Sequence, residues 1–381
     1  MTRRPAARYV PPRARHARTV RYAVVGLGHI AQVAVLPAFA HAKNSELVAL
    51  VSGDPEKLEQ LGKKYAVANT YRYDDLDQCL HSPDVDAVYV ALPNDLHYEC
   101  CLRAAAAGKH ILCEKPLAVT VHDAEEMLAA AERNGVKLMT AYRLHFEPAN
   151  LAAIDAVRSG KIGDVRYFSS TFSYQVTDPG NIRLRAERGG GPLYDIGVYC
   201  INAARYLMGD EPDEVMAFTA NSGDKRFNEV EESAAALLKF PGGRLAAFVV
   251  SFGAADSTRY EIVGTRGSIV LDPAYEYSMA LEATFKRGDR EREKKFPHTD
   301  QFAGEIAEFS RSILGDREPE ANAREGIADL RIVSAVLESA SAGRAVPLAP
   351  FTKHRRPGRR QLERKPPTRE PRTVHVTSPH K

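Results

Sequence analysis

A short apolar strand that runs directly into a glycine turn is the strongest constraint on how this chain folds. Arg21-Tyr-Ala-Val-Val-Gly26 reads as a buried strand, and Gly26-Leu27-Gly28-His29-Ile30-Ala31 follows it as GxGxxA, with a helical pattern over about 30–42. Gly26 permits the tight turn. Gly28 lets a pyrophosphate come close to the backbone at the positive end of the helix, and Ala31 keeps that helix near the strand. The motif alone is weak, but between a strand and a helix it points to a dinucleotide. Leu27, His29 and Ile30 belong to the same turn and are expected as cofactor contacts.

The strand–helix rhythm continues. Strands are expected at 46–51, 84–92, 110–113 and 137–141, with helices at 55–65, 98–107 and 121–134 between them. This alternation implies a parallel, doubly wound sheet. Past a helix at about 148–159 the pattern changes to β-rich segments at 165–176, 214–220, 233–240, 244–252, 259–264 and 267–271. Some are joined by short turns such as Pro241-Gly242-Gly243, and helices return at 301–314 and 323–342. Hairpins and an antiparallel sheet follow from this. The expected fold class is α/β: an N-terminal Rossmann dinucleotide-binding domain at 21–143, then an α+β substrate domain at 144–349 with a large open, mostly antiparallel sheet. A flexible basic arm (1–20) and a disordered basic tail (350–381) are expected to flank them.

Charge separates these parts. Seven Arg in 1–21 and a surplus of eight cations in 352–381, taken from a net charge of +3, leave the body at −12. An acidic body with basic ends argues against a nucleic-acid partner. No apolar run reaches the roughly 18 residues of a membrane span. Arg3-Arg4 resembles the start of a twin-arginine export signal, but the apolar stretch that such a signal needs does not follow. A cytoplasmic protein with five reduced cysteines is expected, and the Cys and His spacings hold no metal motif.

Three positions carry chemistry. After the second strand, NAD-binding chains commonly place an acid on the ribose 2′-OH. Here Ser52-Gly53-Asp54 stands there, and Ser52 removes a charge that would repel a 2′-phosphate, while Lys57 one helical turn later supplies a cation. This favours NADP; an inward-pointing Asp54 would favour NAD. Next, Lys115 lies between Glu114 and Pro116 at the end of an apolar strand. An ammonium there can polarise a substrate hydroxyl, Glu114 can orient it, and Pro116 admits a cis bond. Finally, Asp195 and Tyr199 are four residues apart at the start of a helix and share a face. A carboxylate and a phenol so placed can bind sugar hydroxyls and move a proton. Arg143, His145, Arg183 and Arg185 are further candidates for the cleft wall.

These residues, in this order, resemble the Gfo/Idh/MocA oxidoreductase family over about 20–348, and within it the glucose–fructose oxidoreductase-like branch. The resemblance rests on Tyr22-Ala-Val-Val-Gly-Leu-Gly28, Leu50-Val-Ser-Gly53, Asp86-Ala-Val-Tyr89, Leu92-Pro93-Asn94-Asp95-Leu96-His97, Cys113-Glu-Lys-Pro116, Ala141-Tyr-Arg143-Leu-His145 and Asp195-Ile-Gly-Val-Tyr199. It implies that Lys115 lies beside the nicotinamide and that Asp195 and Tyr199 meet the substrate with Lys115 and Arg143. Leu92, Pro93, Asn94, His97, Glu114 and Arg143 are implied as cofactor contacts, with Ser52, Lys57 and Tyr71 on the adenosine 2′-phosphate. It also implies a sugar substrate and a homodimer or homotetramer formed through the C-terminal sheet. The chain departs from that branch in having no Trp before Asn181-Ile-Arg183-Leu-Arg185.

The expected activity is NADP-dependent oxidation of a cyclic aldose to its lactone, with the cofactor either retained to reduce a second sugar or exchanged as in a sugar or inositol dehydrogenase. A cofactor-sensing regulator without catalysis is the alternative from another class.

Overall fold

The computed structural model describes residues 19–353, 355–369, 371–376 and 378. The arm at 1–20 lies almost wholly outside the described residues. The five strands expected from alternation, joined by an unexpected short β3, form a six-stranded parallel sheet: β1 (Val20–Val25), β2 (Ser45–Val51), β3 (Asn69–Tyr71), β4 (Ala87–Val90), β5 (His110–Glu114) and β6 (Leu138–Ala141), in the order β3-β2-β1-β4-β5-β6. Both faces are covered, so the strands are continuously apolar: Val24, Val25, Leu50, Val51, Val88 and Val90 are fully buried. The covering helices are α1 (Leu36–Ala38), which continues a π-helical turn at Ala31–Val35, then α2 (Pro55–Tyr65), α3 (Leu76–Leu80), α4 (His97–Ala106) and α5 (Val121–Arg133). The strand order reverses between β1 and β4. A crevice opens there at the C-terminal ends of the strands, where open α/β sheets bind ligands.

Helix α6 (Pro148–Arg158) leads to a nine-stranded sheet. Its strands are β7 (Val165–Ser173), β8 (Glu214–Ala220), β9 (Ser233–Phe240), β10 (Arg244–Ser251), β11 (Ser257–Gly264), β12 (Gly267–Leu271), β13 (Leu281–Arg287), β14 (Arg290–Phe296) and β15 (Val346–Pro347). They lie in the order β14-β13-β12-β11-β7-β10-β9-β8-β15; β7 and β10 pair in parallel and the other neighbours antiparallel. One face turns Phe168, Phe172, Phe248, Val250, Tyr260 and Ile262 into a core shared with α7 (Val198–Met208). β14 was not expected from the sequence, since Arg-Glu-Arg-Glu-Lys-Lys-Phe carries no apolar alternation. It is an exposed edge strand, where charge is the usual protection against edge-to-edge pairing.

Two features depart from the expected division. α8 (Gln301–Leu314) packs Phe302, Ile306 and Phe309 into one core with Tyr22, Val24 and Leu50 of the parallel sheet, so it belongs to that layer and not to the substrate domain. α9 (Ala323–Ala342) gives Ile327 and Leu330 to the dinucleotide side and Val333 and Val336 to the other core, spanning both.

The segment from 350 onward, expected as a disordered tail, lies along the body wherever it is described. Lys353 pairs with Glu320 and Glu325, Arg356 with Glu211, Arg359 with Asp155 and Glu363 with Arg311. Composition suggested a solvated run, but carboxylates of the acidic body pair with Lys353, Arg356 and Arg359. No helix among the described residues is long and apolar enough to cross a membrane.

Candidate active site

The crevice at the strand reversal is built to receive a backbone-hugging ligand. Gly26 has φ +96°, and a Cβ there would stand 2.4 Å from the Ala91 carbonyl oxygen, so only glycine lets β1 pass β4. A Cβ on Gly28 would meet nothing within 4 Å: its backbone faces open space beside the first helical turn. Leu27 is buried, and its carbonyl accepts from the Gln32 side chain at 2.9 Å. His29 and Ile30 are half-buried on the turn itself. At the end of β2, Ser52 is buried and its hydroxyl accepts from the Asp54 amide at 3.2 Å. Both oxygens of Asp54 are engaged. Oδ1 caps α2 by accepting from the Glu56 and Lys57 amides at 2.9 and 3.2 Å, and Oδ2 meets His375 Nδ1 at 2.9 Å. The arrangement that would suit NAD, a free carboxylate turned to the ribose, is therefore not the one adopted.

Lys115 leaves the end of β5 and reaches across to the substrate domain. Its Nζ donates to the Asp195 carbonyl at 2.8 Å and to Asp195 Oδ1 at 3.1 Å, and lies 4.9 Å from the centre of the Tyr199 ring. The Lys115–Pro116 peptide is cis. Asp195 sits in a π-helical turn, Leu193–Gly197, that runs into α7 and Tyr199; such turns recur at functional sites. Arg183 Nε and the Tyr174 hydroxyl complete the carboxylate, both on Oδ2, at 2.8 and 2.5 Å.

The electrostatics assign roles. Burial alone would raise the Asp195 carboxyl, but Arg183, Lys115 and Tyr174 outweigh it and hold it well below the ordinary carboxylate range. Burial alone would likewise lower Lys115, but Asp195, Tyr199 and Glu114 push it above its usual value. Lys115 is thus an ammonium and Asp195 a fixed carboxylate. Neither is a neutral-pH base. The Tyr199 hydroxyl has no hydrogen-bond partner among the described residues, and its ring lies between two cations, Lys115 and Arg143, each 4.9 Å from its centre. This is the one member of the trio left open to a ligand's proton.

The matching family models cover most of the described body: an oxidoreductase family with an NAD-binding Rossmann fold at residues 20–142, and the GFO/IDH/MocA C-terminal domain at 151–270. The chain belongs to the Gfo/Idh/MocA oxidoreductase family. Among its solved relatives, the aldose–aldose oxidoreductase of Caulobacter crescentus, complexed with glycerol, is 40% identical with a TM-score of 0.84, covering 87% of this chain and all of that one. A 3-ketoreductase of Actinomadura kijaniata, in complex with NADP and TDP-benzene, is 30% identical with a TM-score of 0.77, covering 84% of this chain and 98% of its own. A D-xylose 1-dehydrogenase (NADP(+)) of Haloarcula marismortui is 30% identical over 335 residues, 86% of this chain and 93% of that protein.

Within this Gfo/Idh/MocA frame, several expected contacts have other duties. His97 is fully buried, with its nitrogens on the Pro116 and Leu92 carbonyls at 2.9 and 3.0 Å; it ties the β4 and β5 loops together and does not face the crevice. Leu92 and Pro93 line the loop that it holds. Asn94 donates to the Gly189 carbonyl at 2.9 Å and joins the two domains. His145 is buried between Glu320 and Asn202, so it does not line the cleft, and Arg185 is spent on Glu229 at the surface. Arg143 reaches Tyr199, as the resemblance implies, but its guanidinium is bound to Gln301 and the Tyr275 carbonyl, so it buttresses that ring. Tyr71 turns its hydroxyl to Ser82, whereas Tyr73 lies against Gly53, within 3.2 Å of where a Cβ would stand. Tyr71 pairs with Val51 at the end of β2, and its carbonyl accepts from the Ser52 amide at 3.1 Å, so both aromatics stand at this end of the strand.

Sequence reading also missed Tyr174, which has no motif around it, and a buried carboxyl pair. The Tyr89 hydroxyl sits 2.8 Å from Glu114 and 3.1 Å from Glu305. Burial pushes both carboxyls up, Glu305 well above its usual value.

Proposed function

We propose that the protein is an NADP-dependent sugar oxidoreductase that oxidises a cyclic aldose at its anomeric carbon to a lactone. The observation that carries this reading is the convergence of Lys115, Asp195 and Tyr199 at the C-terminal end of β5, in the same sheet whose glycine turn leaves the Gly28 backbone open. The glycine turn at Gly26–Ala31 and Ser52 at the end of β2 would hold NADP, which when bound would supply the acceptor for the C1 hydride. The O–H bond of the C1 hydroxyl breaks, its electron pair completing the C1=O double bond, and the proton passes through the Tyr199 hydroxyl to water. Lys115 donates to the sugar oxygen and stabilises the negative charge that grows there. Asp195 stays ionised; it orients the sugar and holds Lys115 in place. The kinship to an aldose–aldose oxidoreductase supports retention of the cofactor for reduction of a second aldose.

Two measurements test this. NADP reduction is followed with a panel of aldoses; turnover of at least one cyclic aldose is expected, and none across the panel sinks the reading. Nicotinamide absorbance that survives desalting is expected if the cofactor is retained, and its loss favours free exchange.

We also place the assembly contact on the outer face of the nine-stranded sheet. Phe218, Val249, Tyr167, Leu237 and Leu245 are 43–67% exposed there on four adjacent strands, an apolar patch that calls for a covering partner. A homodimer or homotetramer is expected by light scattering, with Val249→Lys reducing it to monomer. An unchanged mass for that variant excludes this face. Five free, buried cysteines suit a reducing cytoplasm.

A further inference from the structure

Residues 372–375 of the C-terminal segment reach the same end of the parallel sheet. Val374 donates its amide to Gln32 Oε1 at 2.8 Å, and its carbonyl accepts from Gln32 Nε2 at 2.9 Å. Gln32 is 1% exposed, and the same Nε2 reaches the Leu27 carbonyl in the glycine turn. The strap is therefore joined through one buried amide to the loop that meets the pyrophosphate. One residue on, His375 Nδ1 lies 2.9 Å from Asp54 Oδ2 and Nε2 lies 3.2 Å from Glu56 Oε2. Lys64 on α2 holds the Arg372 carbonyl at 3.2 Å. These contacts bridge the two helices that follow β1 and β2, between which the adenosine end of a dinucleotide lies.

The charges there pose a problem that the strap answers. Asp54 stands two residues after Ser52, and an uncompensated carboxylate at that point opposes a 2′-phosphate. His375 lies directly on it, and the Lys57 ammonium, one turn into α2, makes no pair of its own among the described residues. We propose that the C-terminal strap is part of the cofactor site and that His375, by neutralising Asp54, makes its adenosine end accept a 2′-phosphate. The strap is then a determinant of NADP over NAD, contributed by a segment outside both matched domains. This inference rests on the NADP reading above.

The test is calorimetric titration of nucleotide-free, full-length protein with NADP and with NAD. The wild type is expected to bind NADP more tightly. His375→Ala is expected to reduce the NADP:NAD affinity ratio by about fivefold, the scale of one exposed charge pair, with an unchanged melting temperature. Adding Asp54→Asn, which keeps the helix cap, is expected to restore the ratio, a rescue that a merely structural role for His375 does not give. A chain ended after residue 370 keeps the Lys353 and Arg356 anchors and is expected to lose the same preference. A wild type that prefers NADP, with that preference intact in both His375→Ala and the shortened chain, overturns the role of the strap alone. A wild type that binds NAD more tightly overturns the cofactor reading, and this inference with it.

Discussion

Replacing Lys115 by alanine is expected to lower kcat by about 10²- to 10³-fold, the usual worth of one positioned donor to a developing oxyanion. The ammonium is the only cation that both meets Asp195 and lies over the Tyr199 ring among the described residues, so no neighbour takes over its donation to the sugar oxygen. The fold is expected to survive. Asp195 keeps Arg183 and Tyr174 on Oδ2, so the deletion does not leave a buried carboxylate without a partner. NADP affinity, measured on the same protein, is expected to stay near the wild-type value, because the glycine turn and the end of β2 lie apart from Nζ. A variant that turns over as fast as the wild type refutes the assignment. One that loses cofactor binding as well moves Lys115 from chemistry to structure.

Replacing Lys353 by methionine is expected to cost about 3–5 kcal/mol of stability, the range for breaking a buried ion pair by removing one partner. Lys353 enters a buried cluster in which Arg205 binds Glu211, Glu325 and Asp329, Arg356 binds Glu211, and Glu320 and Glu325 face Lys353. Its side chain is 3% exposed, and those of Glu320 and Glu325 are 6% and 0% exposed. Four carboxylates thus meet three cations, and the variant leaves two. Arg359→Ala is the control from the same segment. Its partner is Asp155, the guanidinium is 72% exposed, and screening limits such a pair to under about 1 kcal/mol. Urea unfolding of the two variants measures the difference. Equal midpoints reject the view that this segment is an integral strut.

Much of the first domain was legible because its signals are local. β-branched runs, glycine turns and helix caps are set by neighbours in the chain, and α8 and α9 occupy the residues that periodicity predicted. The pairing of Asp195 with Tyr199 was legible for the same reason, since four residues along a helix fix a face. What spacing left open has a common cause. Tyr71 and Tyr73 cannot be ranked from spacing alone, because the packing of β3 decides which ring lies on Gly53. His97 and His145 carry the chemistry of a binding site in their residue type, yet each is saturated by partners far away in sequence.

The sequence by itself determined the parallel sheet, the glycine cradle and the lysine poised after β5, since each rests on short-range sterics and hydrogen bonding. Tertiary structure alone decided the charge states of Lys115 and Asp195, through burial and two cations brought from other segments. It also decided the fate of the basic end. Composition describes the unfolded cost of a charged, Pro-rich run, but only the folded body presents the carboxylates that make its ordering favourable.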